Sequence, residues 1–113
     1  MTDCVFCKIA NKEIPSQIVY EDDQVVAFKD INPVAPVHIL VIPRQHFASL
    51  NEVPSGELGV VAHIHGVIQK LAQELGVAEG GYRVLTNCGP DAGQVVFHLH
   101  FHLIGGRPLK RLI

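Results

Sequence analysis

The chain has 113 residues, 48% of them hydrophobic, with 9 Lys and Arg against 11 Asp and Glu for a formal charge of −2 at pH 7. That length fills one core of ordinary domain size, so a single domain over residues 1–113 is expected. The positive charge is scattered, no apolar run approaches the roughly 20 residues of a membrane span, and the start Met1-Thr2-Asp3-Cys4 has no basic segment leading into an apolar one, so neither nucleic acid nor a membrane is an expected partner and a cytoplasmic location is.

Cys4 to Asn11 is apolar-rich and predicts a turn of helix that ends before the Ile14-Pro15 break. Ser16 to Tyr20 and Val25 to Lys29 are β-prone runs around the acidic turn Glu21-Asp22-Asp23-Gln24 and predict a hairpin. The loop Asp30 to Pro36 carries Pro33 and Pro36 and is stiff; His38 to Ile42 then resumes as a nearly all-apolar strand, which puts His38 where a rigid loop enters a buried strand. Beyond Pro54, Ser55 is the expected N-cap, Glu57 falls in the first turn and Gly76 is a C-terminal stop, bracketing the longest helix. Leu58, Val61, Ile64, Ile68, Leu71 and Leu75 recur at helical spacing as its apolar stripe. His63 and His65, two apart, fall on different faces of that helix and are structural or interface residues, not a paired metal site. Tyr82 to Asn87 predicts another strand, followed by the turn-rich Gly89-Pro90-Asp91-Ala92-Gly93. Mixed helical and extended patterns without repeats indicate an α+β domain, one antiparallel sheet with a long helix packed on it.

The last run, His98-Leu99-His100-Phe101-His102-Leu103-Ile104, alternates three imidazoles with apolar residues. On a strand this puts the imidazoles on one face, with alternate residues about 6.7 Å apart, so that one phosphate-sized group can meet two of them. Such a row can hold a nucleophile and its electrostatic support; the alternative is an amphipathic strand whose solvent face is rich in histidine. Three cysteines, Cys4, Cys7 and Cys88, are an odd number for a disulfide framework, and metal binding or inert thiols fit a reducing compartment better.

This run matches the histidine triad pattern, and with Gly93-Gln94 before it and Gly105-Gly106-Arg107-Pro108 after it the chain resembles the Hint branch of that superfamily. The resemblance extends to Lys12-Glu13-Ile14-Pro15, Tyr20-Glu21-Asp22-Asp23, Ala27 to Ile31, Ala35 to His38 and Val41-Ile42-Pro43, in the order and spacing of these purine nucleotide-binding phosphoramidases. It implies a five-stranded antiparallel sheet with one long and one short N-terminal helix, the sheets of two subunits joined across a homodimer. It also implies a substrate class: purine nucleoside 5'-phosphoramidates, with AMP or GMP as bound nucleotides.

By resemblance, His100 is the nucleophile that attacks the α-phosphorus and displaces an amine, leaving a nucleotidyl-histidine for water to cleave. A neutral imidazole suits this task at neutral pH provided its other nitrogen is held as a donor. His102 then contacts the phosphoryl oxygens and helps protonate the departing nitrogen, with His38 flanking the site. Asn87, Gly93 and Gln94 match positions that cradle the phosphate with amide and backbone donors. Asp30 matches the acceptor for the ribose hydroxyls, though an Asp before a proline loop is also a common turn residue. Val5, Phe6, Ile9, Phe28 and Ile31 resemble the apolar lining of the base pocket, and each is equally compatible with the core. Val95, beside the site, stands where many Hint proteins have a serine, so its hydroxyl is missing and the leaving-group preference is open.

Cys4 and Cys7 form a two-thiolate clamp, and tetrahedral zinc would need two further ligands, for which His46 and His98 are the candidates; some relatives in the wider superfamily bind zinc in this way. Four protein ligands would make the zinc structural, and no cofactor is expected to be required for the chemistry itself. Alternatively, His46 and His98 belong to a proton relay near His100 and the cysteines only pack. A thioredoxin-like redox motif would want a preceding strand, which the sequence lacks. Two other functions use the same pocket: hydrolysis or nucleotidyl transfer on dinucleoside polyphosphates, and a non-catalytic nucleotide-binding scaffold. In longer relatives, C-terminal tails following the segment that corresponds to Leu109 to Ile113 can reach the pocket and bear on the leaving group.

Overall fold

In a computed structural model describing residues 3–111, the elements follow one another as α1 (Val5–Ala10), β1 (Ile18–Glu21), β2 (Val25–Lys29), β3 (Val37–Pro43), α2 (Gly59–Glu74), β4 (Tyr82–Leu85) and β5 (Phe101–Gly105). The expectations attached to Met1-Thr2 and to Leu112-Ile113 lie outside these residues. The strands make one antiparallel sheet in the order β1-β2-β3-β5-β4, the α+β architecture anticipated from the pattern.

Strand periodicity explains the two layers of core. Val25 and Ala27 of β2, Ile39 and Val41 of β3, and Phe101 and Leu103 of β5 face Ile64, Val67, Ile68 and Leu71 of α2. The intervening residues Val26, Phe28, Leu40 and Ile42 face the other way and are covered by Phe6, Ile9 and Ala10 of α1. Both faces of the central strands are therefore buried, which is why β3, apart from His38, reads as an apolar run and not as an alternation.

Helix α2 departs from expectation at its start. Ser55 lies in a 3-10 turn, Ser55–Glu57, and the α-helix is entered through Leu58, which offers no side-chain cap. Gly56 and Gly59 weaken helix propensity across this entry. Leu58 is 44% exposed and drops out of the stripe, while Val67 and Ala72 join it. The far end is as anticipated: Gly76 takes a φ of 77° just after the helix, a conformation that costs glycine nothing. The β1–β2 turn is held by Asp22, whose Oδ1 accepts from Gln24 N at 2.8 Å and Val25 N at 2.9 Å and whose Oδ2 accepts from Tyr20 Oη at 2.8 Å. His63 Nε2 reaches the same Oδ2 at 2.7 Å, and the His65 ring packs edge-on to Phe101 at 5.2 Å, so each helix histidine has a contact within the chain. Burial alone would raise the Asp22 carboxyl, but these hydrogen bonds hold it well below the usual carboxylate range.

The histidine run is only partly a strand. β5 begins at Phe101, and His98, Leu99 and His100 precede it. The β3–β5 register, continued beyond Val41↔Phe101, would set Pro43 opposite Leu99. Pro43 has no N–H to give the ladder; Leu99 N donates to Phe47 O instead, at 2.7 Å, and the chain turns away.

Candidate active site

The register sets His38 opposite Ile104 and Leu40 opposite His102, making His38 and His102 diagonal neighbours on the sheet face turned toward α1. His100, one residue before β5, completes the row with its ring centroid 5.2 Å from that of His102. A histidine-rich solvent face is excluded, because His98 is fully buried and His100 is 7% exposed. Phe6 covers both, edge-on at 6.0 Å from His98 and 5.0 Å from His100.

A cavity of about 450 Å³ opens at His100 and His102. Of the residues expected at the base and ribose, Val5, Phe6, Ile9, Phe28, Asp30 and Ile31 all line it, and so does Val95. Phe6, Ile9 and Phe28 are buried, whereas Ile31 is 88% and Val95 85% exposed. Leu40, Ile14 and Val96 also contribute walls and were not singled out in the sequence, where they are indistinguishable from core. His38 stands behind His102 and does not line the cavity.

The hydrogen bonds assign a tautomer to each ring. His100 Nδ1 donates to His98 O at 2.7 Å, which leaves the Nε2 lone pair free. Val34 N donates to His38 Nδ1 at 3.2 Å, so His38 carries its proton on Nε2 and donates it to His102 Nδ1 at 2.9 Å. His102 is thereby left with its own proton on Nε2. Burial, reinforced by the neighbouring His100 and His38, brings His102 down to about 4, and burial lowers His38 against the pull of Asp30; both rings are neutral at neutral pH. Thr86, just past β4, donates through Oγ1 to His100 O at 2.6 Å and braces the residues leading into β5, a contact no sequence signal announced.

The amides expected around the phosphate are placed differently. Gln94 is buried, its Nε2 donating to Ala48 O at 2.7 Å and Val96 O at 3.1 Å while Oε1 accepts from Gly89 N at 2.8 Å. Asn87 Nδ2 donates to Ala92 O at 2.6 Å. Gly93, at a φ of 84°, turns the chain between them. None of the three lines the cavity; together they shape the loop that delivers Val95 and the histidines. Asp30 serves in its turn through Oδ1, which accepts from Asn32 N at 2.8 Å, while Oδ2 lies 3.4 Å from His38 Nε2.

Cys4, Cys7, His46 and His98 converge from three parts of the chain, their ligand atoms all within 4.8 Å of one another. Nδ1 of His98 lies 3.2 Å from Cys4 Sγ, 3.5 Å from Cys7 Sγ and 3.2 Å from His46 Nδ1, and His46 Nδ1 is 3.5 Å from Cys7 Sγ. A tetrahedral zinc with ordinary bond lengths has ligand–ligand edges of about 3.3–3.8 Å, close to these four separations, so the donor set and its spacing fit the group. His98 Nε2 donates to Pro43 O at 2.8 Å, which orients the Nδ1 lone pair into the cluster. Burial first, then the adjoining Cys4, pushes the Cys7 thiol up to about 11, a crowding of thiols that a dication would relieve. A relay from His98 to His100 has no ring-to-ring bond here, since His100 Nδ1 is bonded to the His98 backbone oxygen. Cys88 is half-buried outside this cluster, and hydrogen bonds from Ser49 and the backbone at Asn51 and Leu50 draw its thiol down, an influence not visible in its sequence neighbours.

A family model described as HIT domain matches residues 11–109. The purine nucleoside phosphoramidase of Escherichia coli strain K12 is 46% identical over 111 residues, covering 98% of this chain and 93% of that protein. An uncharacterized HIT-like protein of Synechococcus elongatus is 49% identical over 107 residues, covering 95% and 93%. Among solved structures, a histidine triad protein from Clostridium difficile superposes with a TM-score of 0.98 at 55% identity, covering 100% of this chain and 98% of that one. A HIT family hydrolase from Clostridium thermocellum gives 0.96 at 51% identity, covering 100% and 98%.

Proposed function

The chain belongs to the HIT domain family, and from that membership we propose that it is a nucleotide-binding hydrolase that cleaves the P–N bond of purine nucleoside 5'-phosphoramidates. The observation that carries the proposal is the pairing of an oriented nucleophile with an oriented donor: His100 with a free Nε2 lone pair, beside His102 with a proton on Nε2, at the mouth of an apolar cavity. The name of the Escherichia coli relative supplies the substrate class.

The base enters between Val5, Phe6, Ile9, Phe28 and Ile31, and Asp30 Oδ2 accepts from the ribose hydroxyls. The α-phosphoryl group is then delivered between His100 and His102, where the His102 N–H donates to a phosphoryl oxygen. Its negative charge favours protonation of the His38–His102 pair, which burial otherwise keeps neutral. His100 Nε2 forms a bond to phosphorus, the P–N bond breaks, and the proton held by the pair passes to the departing nitrogen, without which an amide anion would have to leave. Water next attacks the nucleotidyl-histidine, its proton returns to the pair, and a nucleoside monophosphate is released with His100 restored.

Cys4, Cys7, His46 and His98 would hold a structural zinc; with four protein ligands the metal would supply rigidity and leave no open position for substrate. A homodimer is part of the same proposal. β4 is an outermost strand, and a second copy joined along it would continue the sheet.

The test is hydrolysis of a fluorogenic adenosine phosphoramidate by wild type and His100→Ala side by side, with trapping of a labelled nucleotidyl-enzyme. Activity and label confined to wild type, with AMP bound by both, are expected, because deleting a nucleophile need not remove ground-state contacts. AMP binding without turnover by wild type overturns the P–N assignment in favour of another leaving group or a scaffold.

A further inference from the structure

Helix α1 is six residues long, too short to hold itself in water, so its position depends on its anchors. Within two turns it carries two kinds of side chain. Cys4, its N-cap, and Cys7 face His46 and His98, whereas Val5, Phe6 and Ile9 line the cavity. The remaining anchors are the burial of Phe6, Ile9 and Ala10 and one bond from Arg44 Nη1 to Ala10 O at 2.9 Å. In the absence of a metal, the cysteine side chains are held by thiol–imidazole contacts of 3.2–3.5 Å, by the Cys7 N–H donated to Cys4 Sγ at 3.3 Å within the helix itself, and by packing of Cys4 on the Phe6 cluster, and thiols are weak partners.

We infer that the Cys4-Cys7-His46-His98 cluster positions the nucleotide site: metal held there fixes the wall formed by Val5, Phe6 and Ile9, so occupancy of the cluster sets the affinity for nucleotide. The inference rests on metal binding by the cluster and on the nucleotide function proposed for the cavity. The linkage is one of populations. If α1 is docked in only a fraction of molecules, apparent affinity falls by that fraction, and a metal that favours the docked state restores it. Cys4 and Cys7 act here as positioning residues, through the backbone turn they share with the wall.

His46 separates metal occupancy from direct contact, because it is a donor in the cluster yet lies outside α1 and does not line the cavity. The experiment is calorimetric titration of AMP into zinc-loaded wild type, the same protein after chelation and after zinc is returned, and His46→Ala and His46→Cys. Zinc per chain and far-ultraviolet circular dichroism are measured on each sample. Chelated wild type and His46→Ala are expected to keep the folded spectrum and bind AMP roughly ten- to a hundredfold more weakly, the range set by ordering a few cavity side chains on binding. Returned zinc restores affinity, and His46→Cys, which keeps a ligand, stays close to wild type. If His46→Ala does not fold, the chelation arm decides. Loss of zinc with AMP affinity unchanged within about twofold overturns the inference alone. Collapse of the spectrum on chelation also overturns it, since the metal would then hold the whole fold. Wild type without zinc that binds AMP removes the metal premise, and zinc-loaded protein that binds no AMP marks failure of the nucleotide function.

Discussion

Substitution of His38 isolates the assignment of protons in the row. In His38→Ala, Val34 N loses its acceptor and His102 Nδ1 its donor, bonds of 3.2 and 2.9 Å. Two neutral hydrogen bonds at about 0.5–1.5 kcal/mol each, together with the space left by a ring only 7% exposed, put the expected loss of stability at about 2–4 kcal/mol. The effect on turnover is larger. Without the His38 N–H, His102 is no longer held with its proton on Nε2, and the pair that stores the proton for the departing amine is gone. Loss of positioned acid–base catalysis costs about 10²- to 10⁴-fold in kcat. AMP affinity should hold within about threefold, because His38 does not line the cavity. His38→Gln keeps an N–H within reach of His102 and should recover a large part of the rate. The assay is steady-state hydrolysis of an adenosine phosphoramidate with AMP binding measured in parallel. A His38→Ala enzyme within about twofold of the wild-type kcat, or one whose kcat and AMP affinity fall by equal factors, would refute the tautomer assignment.

Neutral, partly buried His102 should also shape acid stability: its folded pKa of about 4 lies below the unfolded value of about 6.5, so the unfolded chain binds more protons between these limits and stability falls as pH drops through that window. His102→Gln should flatten urea-denaturation midpoints between pH 7 and pH 5, and an unchanged slope would contradict the burial argument. Asp22 acts in a lower window: its folded pKa is depressed, so its contribution is present above about pH 4 and is lost as pH falls toward the folded value. Asp22→Asn, which weakens hydrogen bonds to a charged acceptor, should cost about 1–3 kcal/mol at pH 7 and converge with wild type in acid; a constant difference across pH would show that the charge is not what matters. Val95→Ser changes an 85% exposed side chain at the cavity mouth, so stability should shift by less than about 0.5 kcal/mol. The added hydroxyl should narrow the difference in kcat/KM between aryl and alkyl amine leaving groups, and identical selectivity in both proteins would exclude position 95 from leaving-group recognition.

Much of this molecule is legible in local pattern. Helical spacing located α2 and its Gly76 stop, and the β-prone runs around Glu21 to Gln24 located the first hairpin, because periodicity and turn chemistry depend on near neighbours alone. The alternation of His98, His100 and His102 marked the site for the same reason. Local pattern misplaced features that depend on distant partners. Ser55 has the chemistry of an N-cap, but the chain enters α2 through a 3-10 turn at Ser55–Glu57 instead. Gln94 has a free amide on paper, yet its Nε2 is taken up by the carbonyls of Ala48 and Val96. The histidine run has the alternation of a full strand, but Pro43, 55 residues from His98, ends the ladder at Phe101 and accepts the His98 side chain.

What the sequence determined by itself, then, is the inventory of reactive groups and the faces they occupy on their own elements: imidazoles on alternate residues, two thiols three apart, an apolar stripe on a helix. Only the tertiary structure decided which ring nitrogen carries each proton, because His38 takes its tautomer from Val34 N and passes its proton to a ring 64 residues away. Likewise it decided between a cluster and a relay: Cys4 and Cys7 meet His46 and His98, while Phe6, between them, meets His100. Hydrogen bonding and ligand geometry act over about 3 Å in space, and nothing in a linear pattern reports which distant residues the sheet register brings within that reach.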